Sequence, residues 1–106
     1  MKKFNLEIIE KLIADDDWGL IHRTYDLPLD FIEEHINEIN WSQCCWFNLY
    51  DFDKISDEFL QKYSKKMLYT MRLWVRKSHY EERQRDFEKF LKGKNLIVPP
   101  KYFSEL

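Results

Sequence analysis

Glycine and proline are scarce in this chain, with two glycines and three prolines among 106 residues. A β-sandwich or barrel needs many tight turns, and these two residues supply most of the backbone conformations that such turns use. A fold built from a few long helices needs far fewer of them. We therefore expect an all-α fold, a compact bundle of five or six helices, and 44% hydrophobic residues suffice for one core and one domain over residues 1–106.

Capping residues and apolar spacing predict where the first three helices begin. Asn5 is a good N-cap for a helix that ends near residue 15, and the three aspartates at 15–17 offer cap oxygens to a short second helix. Pro28 suits the first turn of a third helix, whose apolar stripe continues to Ile39.

The segment after Asn40 is the most aromatic part of the chain. Asn40 should cap a short helix over residues 41–50. Aromatic side chains lie on nearly every side of this helix, beside Cys44 and Cys45, and they are Trp41, Trp46, Phe47 and Tyr50. We expect this segment to be largely buried as the centre of the core. Adjacent cysteines bridge poorly, so both are expected to be reduced and buried.

The second half of the chain is expected to contain two further helices and a tail. Ser56 should cap the longest helix, which could run to about residue 77. A last helix over residues 80–92 should end at Gly93, and an extended tail should follow over residues 94–106.

Charge is unevenly divided along the sequence. Residues 1–61 contain 14 Asp and Glu against 5 Lys and Arg, whereas residues 62–106 contain 12 basic against 5 acidic residues. Such asymmetry is typical of proteins that bind a charged partner, but two oppositely charged halves can also face each other within a fold.

The basic residues between 62 and 85 form the first candidate binding face. Basic side chains with interleaved tyrosines could neutralise phosphates and stack on unpaired bases. The alternative is a solvated helix face, or one that neutralises the acidic half. The candidate contact residues are Arg72, Arg76, Lys77, Arg83 and Arg85.

The acidic residues of the first half form the second candidate face. They could present a negative surface to a basic groove in imitation of nucleic acid, although ordinary solubility explains them as well. For the three aspartates, helix capping is favoured over metal binding because the run lacks the spaced oxygens and glycine of a calcium loop. The candidate contact residues are Asp15, Asp16, Asp17, Glu33 and Glu34.

The chain also matches itself at an offset of 23 residues, which aligns Phe4 with Leu27 and Trp18 with Trp41. A third match follows at an offset of 28, so the repeat-like units span about residues 4–26, 27–51 and 54–77. Such periods are typical of stacked helical units, and chance similarity between amphipathic helices is the alternative.

The middle unit resembles the roughly 23-residue helical repeats of many bacteriophage and large DNA virus proteins. The resemblance covers residues 4 to about 69, and it departs from the pattern at Asp16 and Tyr69. It implies a viral accessory protein that binds and disables a host machine, for example an anti-CRISPR inhibitor, and it carries no catalytic residues. The matching residues are Leu27, Asp30, Phe31, Ile32, Ile39, Asn40, Trp41, Cys44 and Phe47.

Motifs for catalysis, cofactors and membrane insertion are not found in the sequence. There is no metal-ligand spacing, phosphate loop or nucleophile elbow, so we expect no enzyme, no metal and no cofactor. A Cys44 nucleophile with His35 as its base is the enzymatic alternative. The sequence contains no apolar run of membrane-spanning length and no signal peptide, which predicts a cytoplasmic protein, in the host cytoplasm if it is viral.

Together these features predict a protein that binds and inhibits a host protein or nucleoprotein complex. A nucleic-acid-binding protein that uses the basic helix over residues 62–85 is the first alternative. The second alternative is a structural protein that self-associates by pairing its acidic and basic halves.

Overall fold

The computed structural model describes residues 1–73 and 80–98, and within these ranges the regular structure is helical. The described residues contain no β-strand, only an isolated parallel bridge between Lys2 and Tyr25. The expected all-α class is therefore confirmed. The six α-helices are α1 (Leu6–Ala14), α2 (Trp18–Thr24), α3 (Leu29–Glu34), α4 (Trp41–Phe47), α5 (Asp57–Leu73) and α6 (Tyr80–Gly93), and a 3-10 turn spans Phe52–Lys54.

The helices belong to two compact units, Met1–Tyr50 with α1 to α4 and Asp51–Leu106 with α5 and α6. In the first unit, α2 packs against both α1 and α4. Helices α3 and α4 begin 23 residues after α1 and α2 respectively, which is the offset of the sequence match. The expected division into stacked repeat-like units over residues 4–26, 27–51 and 54–77 stays a prediction.

Side-chain caps begin the helices of the first unit at the expected residues. The Oδ1 atom of Asn5 accepts a hydrogen bond from the Ile8 amide, and Asn40 accepts one from the Gln43 amide in the same way. Each cap satisfies a first-turn amide that has no partner within its helix. Capping therefore confirms these two predicted helix starts.

Helix α3 is shorter than the apolar stripe predicted. It ends at Glu34, and the backbone amide of the C-cap His35 donates to the carbonyls of both Phe31 and Ile32 at 3.2 Å. Successive turns then lead to Ile39, which is nonetheless buried. The prediction of a helix through Ile39 is wrong, because burial of an apolar side chain does not require helical backbone.

The aromatic segment is less buried than predicted. Helix α4 ends at Phe47, before residue 50, and Cys44 and Cys45 are fully buried free thiols. The aromatic side chains around them are only partly buried, and Tyr50 is 52% exposed. One side of a short helix that packs on α2 takes the small cysteines, so the larger rings lie toward the solvent. The prediction of a largely buried segment is therefore wrong for Tyr50, whereas Trp41, Trp46 and Phe47 have intermediate exposure.

In the second unit, α5 packs against α6. The hydroxyl of Ser56 accepts a hydrogen bond from the Phe59 amide, which confirms the predicted cap of the longest helix. Helix α5 is described to Leu73, and its predicted end at residue 77 lies outside the described residues. The fully buried side chains of the pair include Leu60, Met67, Leu68, Met71, Phe87 and Leu91.

Helix α6 ends at Gly93, which confirms the predicted end of the last helix. Asn95 follows with φ 59°, a left-handed conformation that asparagine tolerates better than most residues. Residues 96–98 have no regular structure, as expected of the tail, and the rest of the predicted tail, residues 99–106, lies outside the described residues.

Candidate functional site

Arg72, the first candidate contact on the basic side, has a partner within the fold. Its Nη2 atom lies 3.3 Å from Oε1 of Glu88 on α6, and its side chain is 14% exposed. The Gln84 amide donates to the same carboxylate oxygen at 3.3 Å. Arg72 thus links α5 to α6 in the second unit.

Arg83 also packs against a neighbouring element of its own unit. Its guanidinium carbon lies 3.9 Å from the centre of the Phe52 ring, which is cation–π geometry. The Phe52 ring in turn contacts Phe87 and Phe90, with centroid distances of 4.8 Å and 5.5 Å. Arg83 therefore covers the aromatic contact between the 3-10 turn and α6.

The remaining basic candidates differ in how far the structure describes them. Arg85 is exposed on α6. Arg76 and Lys77 lie outside the described residues. Arg72 and Arg83 both contact groups of their own unit, and a shared basic face of the five candidates stays a prediction.

On the acidic side, the turn between α1 and α2 directs its aspartates into the solvent. The Asp17 amide donates to the Leu12 carbonyl and the Asp16 amide donates to the Ile13 carbonyl, the pattern of a Schellman motif. Asp16 takes the left-handed position with φ 55°, where glycine is usual. Asp17 then caps α2 through Oδ1, which accepts from the Leu20 amide and confirms the capping prediction. Asp15, Asp16 and Asp17 are all exposed.

A cluster of aromatic rings connects this turn to the end of α3. The Trp18 ring lies 5.5 Å from the His35 ring and 6.2 Å from that of Phe31. Asp17 directly precedes Trp18, and the exposed Glu34 directly precedes His35. The two predicted acidic segments therefore both border this ring cluster in sequence, and Glu33 is half-buried.

His35 adds a polar contact with Glu38 that sequence reasoning missed. Its Nδ1 atom lies 3.0 Å from Oε1 of Glu38, and its side chain is 22% exposed. The spacing of three residues was the available signal, but the pair forms in the turns after α3 rather than on the predicted helix.

His22 is the second group that sequence reasoning missed, and it is fully buried. Its Nδ1 lies 2.6 Å from Oδ1 of Asn48, and its Nε2 accepts a hydrogen bond from the Asn40 amide at 3.2 Å. The Nδ2 group of Asn48 donates to the Tyr25 carbonyl at 2.9 Å. Burial lowers the pKa of His22, and the hydrogen bond to Asn48 opposes this in part. His22 is 18 residues from Asn40 and 26 from Asn48, so no local sequence pattern indicated this hydrogen-bond network.

The alternative Cys44 nucleophile lies in an unsuitable environment. Burial raises the pKa of the Cys44 thiol well above its ordinary value, and the neighbouring Cys45 raises it further. The thiolate that a nucleophilic mechanism requires is therefore disfavoured. Among residues 1–73 and 80–98, no three His, Cys, Asp or Glu side chains are grouped so that they could hold a metal ion.

Comparisons with protein-family models, with curated proteins and with solved structures find no match to this chain. No helix in the described part of the chain has the length and apolar character needed to cross a membrane.

Proposed function

We propose that this chain is a binding protein whose acidic turn and adjacent α3 end engage a basic surface on a protein or nucleoprotein partner. The observation that carries the proposal is a contrast between exposed acidic residues and basic residues that have partners within the fold. Asp15, Asp16 and Glu34 are exposed, whereas Arg72 and Arg83 contact groups of their own unit.

The charge of the first unit supports a basic partner. Residues 1–50 contain ten Asp and Glu against four Lys and Arg. A surface with one dominant sign of charge accelerates encounter with an oppositely charged surface and disfavours partners of like charge. The exposed Tyr50 and half-buried Trp46, whose rings meet edge to face at 5.6 Å, are residue types that often anchor protein interfaces.

A more specific form of the proposal follows from the resemblance to viral helical repeats. In this form the chain is a phage-encoded inhibitor that acts by occupancy on a host defence complex, such as a CRISPR effector. It needs no cofactor and no catalytic step, because a tightly bound small protein blocks a nucleic-acid groove by its presence alone.

The test is affinity capture from a bacterial lysate, with and without nuclease, followed by binding kinetics with the captured partner. Asp15→Lys with Asp16→Asn removes the net charge of the turn, and asparagine tolerates the left-handed backbone at Asp16. Glu7→Lys with Glu10→Gln is the matched control, since both residues are exposed on α1 and the change in net charge is the same.

We expect a discrete partner that survives nuclease treatment. The association rate constant should fall about tenfold or more for the turn variant and much less for the control. Equal losses in both variants would attribute binding to net charge alone and would contradict the proposed face.

Nucleic-acid binding remains the second candidate because Arg85 is exposed. It predicts that only nuclease-sensitive material is captured, that Arg85→Glu weakens capture, and that affinity falls steeply with salt. Self-association instead predicts oligomers in size-exclusion chromatography that dissociate as salt is raised.

A further inference from the structure

We propose that His22 is a pH-sensitive latch that holds the α3–α4 loop, residues 35–40, and releases it when the imidazole is protonated. The latch is built from two hydrogen bonds at opposite ends of α4. Asn40, the N-cap of α4, donates its backbone amide to Nε2, and Asn48, its C-cap, accepts from Nδ1. The inference does not depend on the proposed function.

The hydrogen-bond partners determine which ring nitrogen carries the proton. The Asn48 side chain directs Nδ2 at the Tyr25 carbonyl, so its Oδ1 is the atom that faces His22. An amide oxygen only accepts, and therefore Nδ1 of His22 carries the proton. Nε2 must be unprotonated, because the Asn40 amide donates to it.

Protonation changes the two ends of α4 unequally. The imidazolium keeps its Nδ1–H bond to Asn48, and its charge strengthens that bond. At Nε2, however, a new N–H group points at the N–H of Asn40, so an attractive contact becomes repulsive. The Asn40 end of α4 is thus the end that opens.

Among residues 1–73 and 80–98, the polar contacts of the His22 ring are those with Asn48 and Asn40, and neither of these side chains carries a charge. Helix α4 has no charged residue in Trp41–Phe47, and its titratable groups are the thiols of Cys44 and Cys45. The Trp18 ring lies 5.6 Å from that of His22 and 5.5 Å from that of His35, and Tyr25, the C-cap of α2, is buried. The charged residues of α1, α2 and α3 lie at the surface, and so does Glu38 of the 35–40 loop, whose Oε1 lies 3.0 Å from Nδ1 of His35. Glu33 is half-buried, and the others are exposed, namely Glu7, Glu10, Lys11, Arg23, Asp30, Glu34 and Glu38.

These surroundings set the pH range of the latch. Burial lowers the pKa of His22 from 6.5 in the folded chain, and opening of the loop admits water to the ring and so removes the cause of that lowering. The open state therefore binds more protons, and opening becomes easier as the pH falls below about 6.5. The open population rises about tenfold per pH unit until the folded-state pKa is reached.

Two NMR measurements on the unmodified chain test the latch. Nitrogen chemical shifts of the imidazole are followed from pH 8 to pH 4.5 to identify the tautomer of His22 and its titration. Amide hydrogen exchange gives protection factors, which are corrected for the intrinsic pH dependence of exchange. The Asn40 amide reports the latch, and the Leu49 amide, which donates to the Cys44 carbonyl, is the internal control at the other end of α4.

We expect an Nδ1–H tautomer at neutral pH and a pKa below that of the exposed reference. The protection factor of the Asn40 backbone amide should fall about tenfold per pH unit below pH 6.5, while the protection factor of the Leu49 amide changes much less. The same behaviour in His35→Gln would exclude the His35–Glu38 pair as its cause. An Nε2–H tautomer, equal loss of protection at both amides, or loss of the effect in His35→Gln would overturn the proposal.

Discussion

Replacement of Asn48 by alanine should destabilise the first unit far more than an ordinary loss of one polar side chain. Asn48 is only half-buried, but it serves two groups deeper in the fold. Its Oδ1 accepts from the fully buried His22 ring at 2.6 Å, and its Nδ2 donates to the carbonyl of the buried Tyr25 at 2.9 Å. Alanine leaves both partners without these bonds.

The magnitude follows from the cost of unsatisfied buried groups. Each buried donor or acceptor that loses its partner costs about 1–3 kcal/mol, so two such groups cost about 2–4 kcal/mol after partial relaxation. The longer bond of Nδ2 to the His22 carbonyl, at 3.4 Å, adds little. Small domains are stable by about 5–15 kcal/mol, so this loss is a large fraction of the total.

The matched control is Asn5→Ala, which makes the same substitution at an exposed cap. Asn5 accepts one bond, from the Ile8 amide at 3.3 Å, and water can replace it, so the expected cost is about 1 kcal/mol. Urea unfolding followed by tryptophan fluorescence measures both, because Trp18, Trp41 and Trp46 all lie in the first unit. A cost for Asn48→Ala no greater than that for Asn5→Ala would refute the reasoning.

Two further predictions concern the thiols and the arginines. Cys44 and Cys45 are fully buried, so Ellman's reagent should modify them on the order of 100-fold more slowly in the native chain than in urea, and rapid native modification would contradict the burial. Arg72→Met should cost about 1–2 kcal/mol in thermal or urea unfolding because Glu88 loses its cationic partner and keeps only the Gln84 hydrogen bond, whereas Arg85→Met at an exposed position should change stability by less than about 0.5 kcal/mol. Equal effects of the two arginine substitutions would argue against the Arg72 ion pair.

Helix starts could be predicted well because an N-cap acts over a very short distance. Asn5, Asp17, Asn40 and Ser56 each accept from an amide three residues later, so the signal lies within one turn of sequence. Helix ends were less predictable. Helix α3 ends at Glu34 although the apolar pattern continues to Ile39, because the chain turns while its side chains remain buried.

The roles of the charged residues were only partly predictable. Exposure of the aspartates at 15–17 follows from a short polar turn between two helices, which local sequence indicates. A row of arginines in the sequence indicates positive charge, but it does not indicate whether each side chain is exposed to solvent or paired with a carboxylate. Arg72 pairs with Glu88 across 16 residues, and that pairing depends on how α5 and α6 pack.

The sequence by itself determined the all-α class, the capped helix starts and the division of charge, because these depend on composition and on contacts within one helical turn. Only the tertiary structure decided which polar groups meet. His22 and Asn48 are 26 residues apart, and neither shows in sequence that the other will be its partner. The packing of α2 against α4 brings them together and excludes water, and the same burial lowers the pKa of the imidazole.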